Sequence, residues 1–321
     1  MNDETADEGR TDEGQTDERR TDERRTDAEA LLQGDGGLER LWTGAVWSEG
    51  PLWIPAEGRL RWSDIPNDRI LQWDSATGET SVHREGVEFT NGRLLDADGS
   101  VVQCSHGLRR LERERPDGTV EELVSSWNGG RLNSPNDVAV APDGSYWFTD
   151  PDYGIRQPAE GHPGEREYGA RWVFRWSAED GLAPVVTDIV QPNGIAFSPD
   201  GATVYVTDTA MSLEDGPGHW IRAYDVVDRG AGARDGRLFA VIEHGLPDGI
   251  AVDERGRVWS SAGDGVHVFA PDGAELLFVP VPEVVANVCF GGPDGTDLFI
   301  AATTSLYRLR TRTRAARTVT A

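Results

Sequence analysis

Six polar residues in this chain occupy the same position in a repeated pattern, and each carries a side-chain oxygen. Each stands just ahead of an apolar run, with a turn glycine eight or nine residues later. They are Glu49, Asn91, Asn136, Asn193, Asp248 and Asn287. Carboxylate and carboxamide oxygens are the ligands that hard divalent cations such as Ca²⁺ prefer. Six such side chains converging on one axis would form an oxygen-rich cage.

A simpler interpretation is that these residues only shape turns, because Asn and Asp tolerate unusual backbone angles. That interpretation suits any one of the asparagines. It does not suit Glu49, since Glu is a poor turn residue. Two carboxylates among amides would also balance the charge of one divalent cation. The set as a whole therefore predicts a metal site.

The elements that position these residues are six copies of a strand–turn–strand unit. The copies begin at Ser48, Thr90, Pro135, Pro192, Pro247 and Ala286. A second hairpin follows each copy, as in residues 69–83, 172–186 and 266–279. Six units of four short antiparallel strands, spaced by roughly 40 to 57 residues, predict an all-β, six-bladed β-propeller. The first strand of each blade should line the central channel, and residues 38–43 should complete the last blade.

The N-terminal segment differs in composition from the rest of the 321-residue chain. From Thr11 it reads TDEGQ, TDERR, TDERR and TDAEA, with almost no apolar side chain. Such a segment buries too little to offset the entropy of ordering. We therefore predict a disordered acidic tail over residues 1–34 and a propeller domain over residues 35–321.

The charge of the chain restricts its partners. The formal net charge is −25, and all 31 basic residues are arginine. An acidic surface repels phosphate backbones and anionic headgroups, so we expect neither nucleic acid nor membrane as a partner. No apolar run approaches the roughly 20 residues of a membrane span, and no secretory signal is evident. A cytoplasmic monomer is the expectation, since a closed propeller leaves few free strand edges.

Other catalytic chemistries have no visible motif. The six histidines form no His-x-His or His-x-x-x-His pair that would indicate a zinc hydrolase. No Gly-x-Ser-x-Gly elbow provides a serine nucleophile. No Gly-x-Gly-x-x-Gly follows a strand, so dinucleotide binding is not indicated.

Several ordered motifs resemble a known family. They include Ser48-Glu49-Gly50-Pro51, Asn133-Ser134-Pro135-Asn136-Asp137, Phe148-Thr149-Asp150-Pro151, Pro192-Asn193-Gly194, Pro247-Asp248-Gly249 and Cys104-Ser105-His106-Gly107. Over residues 40–310 the chain resembles the senescence-marker/gluconolactonase/luciferin-regenerating enzyme family, and within it the bacterial gluconolactonases. The resemblance implies a six-bladed propeller that hydrolyses lactones with one divalent cation at the channel mouth. It implies Glu49, Asn193 and Asp248 as ligands, with Asn136 as a further or water-mediated ligand.

The resemblance also suggests residues that bind the substrate. Arg131 is the candidate for the family's substrate-binding arginine. Asp152 stands where the gluconolactonase branch usually has proline, which would add a carboxylate to the rim of the site. Sugar lactones carry many hydroxyl groups, which polar side chains can hydrogen-bond. The substrate-binding residues expected in total are Asn91, His106, Arg131, Asn136, Asp152, Tyr153 and Asn287.

The function predicted from these observations is a divalent-metal-dependent lactonase that opens a sugar lactone such as glucono-1,5-lactone to the aldonic acid. Ca²⁺ is the expected cofactor, and Zn²⁺, Mg²⁺ and Mn²⁺ remain open because oxygen ligands admit several ions. Asp248 is the candidate general base, with His106 as the alternative. Two other functions remain open: an esterase or phosphotriesterase of the same fold, and a non-catalytic binding propeller pinned by a metal.

Overall fold

The apolar runs and their glycine-containing turns form antiparallel hairpins throughout the chain. The computed structural model describes residues 31–34, 37–212 and 218–316. Within these residues the strands form six four-stranded antiparallel sheets, each built from consecutive hairpins. The predicted all-β, six-bladed propeller is therefore confirmed.

Each blade begins at the channel and runs outward, and the first strand of the chain belongs to the last blade. That first strand is β1 (Glu39–Thr43). Blade 1 consists of β2 (Ser48–Ile54), β3 (Arg59–Asp64), β4 (Arg69–Asp74) and β5 (Thr80–Glu85). Blade 2 consists of β6 (Thr90–Leu95), β7 (Val101–Ser105), β8 (Arg110–Glu114) and β9 (Val120–Val124). A short hairpin of β10 (Ser126–Trp127) and β11 (Gly130–Arg131) precedes blade 3.

The remaining blades follow the same order. Blade 3 consists of β12 (Val138–Val140), β13 (Tyr146–Asp150), β14 (Trp172–Ser177) and β15 (Gly181–Val186). Blade 4 consists of β16 (Pro192–Phe197), β17 (Thr203–Asp208), β18 (Trp220–Val227) and β19 (Gly232–Val241). Blade 5 consists of β20 (Ile250–Val252), β21 (Val258–Ser261), β22 (Gly265–Phe269) and β23 (Glu275–Pro280). Blade 6 consists of β24 (Val285–Gly291), β25 (Asp297–Ala302), β26 (Ser305–Arg310) and β1.

Helical structure is confined to connections between strands. One helical turn, α1 (Tyr153–Arg156), follows β13, and 3-10 turns occupy Ile65–Asn67 and Ala210–Ser212. No helix in the described ranges is long and apolar enough to cross a membrane.

The hydrophobic core lies between neighbouring blades, because each sheet must cover both of its faces. Between blades 6 and 1, Trp53 stacks on Phe299 with their ring centroids 5.6 Å apart. Trp62, Trp147 and Trp259, each on the second strand of its blade, are fully buried. The aromatic residues that the composition provides therefore fill the layers between blades.

The ring closes by pairing the two ends of the folded domain. β1 runs antiparallel to β26, with Glu39 opposite Arg308, and their side chains form an ion pair of 2.6 Å. The predicted pairing of residues 38–43 into the last blade is thereby confirmed. Residues 31–34, assigned to the tail by sequence, belong to the folded part, since Leu31 is 2% exposed and Leu32 bridges Thr311. Residues 1–30 of the predicted tail lie outside the described residues.

Two truncations separate the contribution of the closing strand from that of the tail. Removing residues 1–30 should leave the melting temperature within about 2 °C, because this segment has little to bury. Removing residues 1–43 should lower it by about 10 °C, because β26 becomes an unpaired edge. Differential scanning calorimetry measures both values. Equal melting temperatures for the two truncated proteins would contradict the role assigned to β1.

Glu283, just before β24, makes a contribution to the free energy of unfolding that depends on pH. Its carboxylate accepts hydrogen bonds from the Thr304 backbone and from the Tyr307 hydroxyl, both 2.7 Å long. Burial opposes ionisation here, but hydrogen bonds from the Ser305 side chain, the Thr304 backbone and the Tyr307 hydroxyl prevail and lower the pKa of Glu283 to about 2. A lowered pKa stabilises the folded state above the unfolded pKa, and this contribution is lost as the pH falls through about 2.

We therefore expect Glu283→Gln to reduce the free energy of unfolding by about 1 kcal/mol at pH 7, a value kept low because the group is partly exposed. Urea denaturation at pH 7 and at pH 4 measures the effect. The difference between variant and wild type should be smaller at pH 4. A difference that grows on acidification would be inconsistent with the lowered pKa.

Candidate active site

Hydrogen bonds between successive blades form a closed ring around the channel, near the starts of the innermost strands and the ends of the second strands. We call this set the interblade ring. Its donors and acceptors are Ser63 Oγ to Asn91 O (3.2 Å), Gly92 N to Asn136 O (2.8 Å), Thr149 Oγ1 to Asn193 O (2.6 Å), Gly194 N to Asp248 O (3.1 Å), Gly249 N to Ala286 O (2.7 Å) and Asn287 Nδ2 to Glu49 Oε2 (3.3 Å). The neighbouring blade thus holds the backbone carbonyl of four leading residues, and it links the other two, Glu49 and Asn287, through their side chains.

The glycines that follow several leading residues permit this close approach. A Cβ on Gly194 would lie 2.3 Å from the carbonyl oxygen of Asp248. A Cβ on Gly50 would lie 2.3 Å from the carbonyl oxygen of Asn91, and Gly50 also has a φ of +51°. Only glycine meets both requirements without strain. In the recurring Glu-Gly, Asn-Gly and Asp-Gly pairs, the glycine therefore permits the contact between blades, and the polar residue supplies a side chain to a cavity at the channel mouth.

Five of the six leading residues line one cavity of about 320 Å³ at a mouth of the channel. They are Glu49, Asn91, Asn136, Asn193 and Asp248. Blades 2 to 4 and their loops contribute a polar wall, which includes Tyr153, Thr209 and Ser212. Blades 5, 6 and 1 contribute an apolar wall of Trp47, Ile65, Leu246, Val284 and Val285. This volume suits one sugar-sized ring.

Two carboxylates of the cavity interact closely. Glu49 is 4% exposed, and its Oε2 accepts hydrogen bonds from Gly50 N and from Asn287 Nδ2. Burial raises the pKa of Glu49 to about 7. Burial and then the neighbouring charge of Glu49 raise the pKa of Asp248 well above its ordinary value. Two acids held together away from water would be stabilised by a cation between them.

The donor set fits a divalent cation that prefers oxygen. Glu49 and Asp248 offer two carboxylates, and Asn136 and Asn193 offer amide oxygens on the same cavity wall. Within the described ranges, no group of three or more His, Cys, Asp or Glu side chains is arranged to hold a metal. A cation here would therefore need amide oxygens as well as the two carboxylates, and that combination suits Ca²⁺.

His106 lies behind the cavity wall and is fully buried. Its Nδ1 donates a hydrogen bond of 3.1 Å to the carbonyl oxygen of Glu160. Its Nε2 accepts one of 3.3 Å from Asn91 Nδ2. Burial lowers the pKa of His106 to about 4, so the ring is neutral at pH 7. The amide nitrogen of Asn91 is used by His106, and its Oδ1 is buried with no hydrogen-bond partner among the described residues.

Four residues predicted to bind substrate do not line this cavity: His106, Arg131, Asp152 and Asn287. Asp152 is 1% exposed, and its carboxylate pairs with Arg171 Nε at 2.8 Å and accepts a hydrogen bond from Gln191. It is therefore a buried structural acid and not a rim carboxylate. Arg131 is exposed outside the cavity, where its guanidinium donates to the Leu108 carbonyl at 3.3 Å.

Asn287 also lies off the cavity, although it shares the pattern of the other leading residues. Its amide nitrogen is donated to Glu49, and its Oδ1 accepts a hydrogen bond of 2.8 Å from Val288 N. It lines the channel on the other side of the interblade ring. Tyr153, in contrast, is placed as expected, with its hydroxyl hydrogen-bonded to the Thr209 hydroxyl.

Several cavity residues were not singled out in the sequence. Gln157 and Glu160 come from the loop after α1, and Thr209 and Ser212 come from the loop after β17. Thr209 directly follows the Thr-Asp that ends β17, as Pro151 follows the Thr-Asp that ends β13. The Thr-Asp pair that ends both strands could therefore have indicated Thr209 as a residue near the site. The loop that carries Glu160 has no counterpart in the repeat and gave no such signal.

Comparisons with known proteins agree with this architecture. Residues 47–304 match the family described as the SMP-30/Gluconolactonase/LRE-like region. The gluconolactonase of Zymomonas mobilis is 30% identical over 305 residues, which cover 89% of this chain and 84% of the relative. The 6-deoxy-6-sulfogluconolactonase of Pseudomonas putida is 30% identical and is matched over 80% of this chain and 84% of the relative.

A solved structure with the same fold supports the assignment. The gluconolactonase of Xanthomonas campestris superposes with a TM-score of 0.83 at 39% identity, covering 89% of this chain and 93% of that chain. Both the family match and the relatives extend over most of the propeller. The chain therefore belongs to the SMP-30/gluconolactonase/LRE-like family.

Proposed function

We propose that this protein is a divalent-metal-dependent lactonase that hydrolyses a sugar lactone such as glucono-1,5-lactone to the aldonic acid. The observation that carries the proposal is the pairing of Glu49 and Asp248 with amide oxygens in one ring-sized cavity. The expected enzyme class, a hydrolase of carboxylic esters, is confirmed by the curated relatives. The choice of lactone and the metal dependence are our proposal.

Glu49, Asn193 and Asp248 would hold the cation, with Asn136 as a further or water-mediated ligand. A divalent cation supplies Lewis-acid polarisation of a carbonyl and lowers the pKa of a bound water. Ca²⁺ is the first choice for a set of oxygen donors, and Zn²⁺, Mg²⁺ and Mn²⁺ are alternatives. The alternative functions, an ester or phosphotriester hydrolase and a non-catalytic propeller, are outcomes of the tests below.

Asp248 is the proposed general base. It lines the cavity, whereas the ring of His106 is buried behind Asn91 with both nitrogens engaged. The backbone of Asp248 is held by Ser261 Oγ on its N–H and by Thr207 Oγ1 on its carbonyl, both within 2.9 Å. This anchoring favours one carboxylate position, from which a proton of an attacking water could be accepted.

The polar wall and the apolar wall of the cavity would contact different parts of the substrate. Asn91, Asn136 and Tyr153 line the cavity and would hydrogen-bond substrate hydroxyls, and the apolar wall with Trp47 would cover the C–H face of the ring. Excluding water on that side strengthens the electrostatic interactions at the reacting carbonyl. Cytoplasmic location and a monomeric state remain predictions from the sequence.

Replacing the proposed base should abolish turnover and spare the fold. We expect Asp248→Asn to lower kcat for glucono-1,5-lactone at least about a thousandfold, because the base for the attacking water is lost. A pH-indicator assay measures the rate, and circular dichroism checks the fold. The matched control is Asp294→Asn, in an exposed turn of blade 6, which should keep wild-type activity. Full activity of Asp248→Asn would refute the assigned role.

Removing divalent cations should stop the reaction without unfolding the protein. We expect EDTA to reduce hydrolysis to the spontaneous rate and added Ca²⁺ to restore it, with an unchanged far-ultraviolet circular dichroism spectrum. Calorimetric titration with Ca²⁺ should show binding at least about tenfold weaker for Glu49→Gln, because a carboxylate ligand is lost. The control, Glu79→Gln, changes an exposed turn residue and should bind like wild type. Unfolding on chelation, with no lactone hydrolysed, would favour the non-catalytic propeller.

A further inference from the structure

A third acid lines the cavity besides the two that the proposed function uses. Glu160 belongs to the loop between α1 and β14 and contributes to the polar wall. Glu160 is partly buried and lines the same cavity as Glu49 and Asp248.

The loop that carries Glu160 is held in place by its backbone. The carbonyl oxygen of Glu160 accepts the hydrogen bond of His106 Nδ1. The next residue, Gly161, packs so tightly that a Cβ there would lie 2.2 Å from the carbonyl oxygen of Gly154. The position of Glu160 at the cavity is therefore fixed by neighbours on blades 2 and 3.

No basic side chain of the described residues balances this acid within the cavity. Its lining includes three carboxylates but no arginine or histidine, and the chain has no lysine. Arg131, the arginine expected to bind substrate, lies elsewhere. Arg171 and Arg156 are paired with Asp152. A divalent cation would offset two carboxylates, which leaves Glu160 as an uncompensated charge facing a substrate.

We propose that Glu160 makes this enzyme selective for uncharged sugar lactones and against lactones that carry a phosphate, sulfonate or carboxylate. The inference rests on the proposed lactonase function and narrows its substrate class. Glu160 can accept hydrogen bonds from the hydroxyls of a neutral sugar, whereas an anionic substituent meets a like charge in a partly desolvated cavity. Since one relative is named for a sulfonated lactone, family membership alone does not settle the substrate charge.

The test compares two substrates that share one ring, glucono-1,5-lactone and its 6-phosphate. Rates at pH 7.5, corrected for spontaneous hydrolysis, give the ratio of kcat/KM for the neutral over the phosphorylated lactone. We expect a ratio of about 100 for wild type. Glu160→Gln should lower it about tenfold and Glu160→Arg further, because one and then two units of charge change near the phosphate. Using a ratio cancels any effect of the substitution on the shared chemical step.

Two control variants isolate the charge of Glu160. Glu160→Asp keeps the charge and should keep the wild-type preference. Glu165→Gln removes an exposed charge from the same loop, off the cavity, and should leave the ratio within about twofold. A wild-type ratio near 1, or one unchanged in Glu160→Gln, would overturn the inference while the lactonase stands. Hydrolysis of no lactone at all would overturn the proposed function and this inference with it.

Discussion

The interblade ring of hydrogen bonds is the constraint on which the site depends. It connects all six blades near the starts of their innermost strands, and it includes both the bond from the Ser63 hydroxyl and the amide that Asn287 donates to Glu49. Each blade alone is an ordinary four-stranded sheet with no binding surface. Only when neighbouring backbones are locked together do residues from all six blades meet within one cavity. The glycines at positions 50 and 194 permit this contact, which explains why four of the six polar residues of the repeat are followed by the smallest residue.

The fold and the central residues of the site could be predicted because their signals are local and repeated. Turn glycines at a constant distance from Asn136 and its five counterparts determine blade number and strand order. The failures arise where the partner of a residue is distant in sequence. The sequence predicts Asp152 to be an acid at the rim of the site. In the structure, the loop after α1 places Arg171 beside Asp152, and the two side chains form an ion pair. Asn287 has the pattern of a ligand, but its amide is used to hold Glu49.

The cavity has an acidic character because the described residues that line it include carboxylates but no basic side chain. Three acids line the cavity, and nearby basic side chains are engaged in ion pairs or hydrogen bonds outside it, such as that of Arg171 with Asp152. Burial raises the pKa of Glu49, Asp248 and Glu160 because water that would solvate their charges is excluded. A bound cation and a polyhydroxylated neutral molecule, as we propose, would offset the cost of burying these charges. His106 does not line the cavity, yet it connects the Asn91 amide on the channel side with the loop that bears Glu160.

The closure of blade 6 has a consequence for how the protein acquires its site. β1 pairs with β26, and the ion pair that joins them spans 269 residues of sequence. During synthesis β1 has no partner strand until nearly the whole domain has left the ribosome, because within the described residues it pairs only with β26. Contacts of such long sequence separation form late and slowly. Asn287, which completes the ring on Glu49, belongs to the same last blade. The nascent chain would therefore remain unable to bind its ligands until its two ends have met.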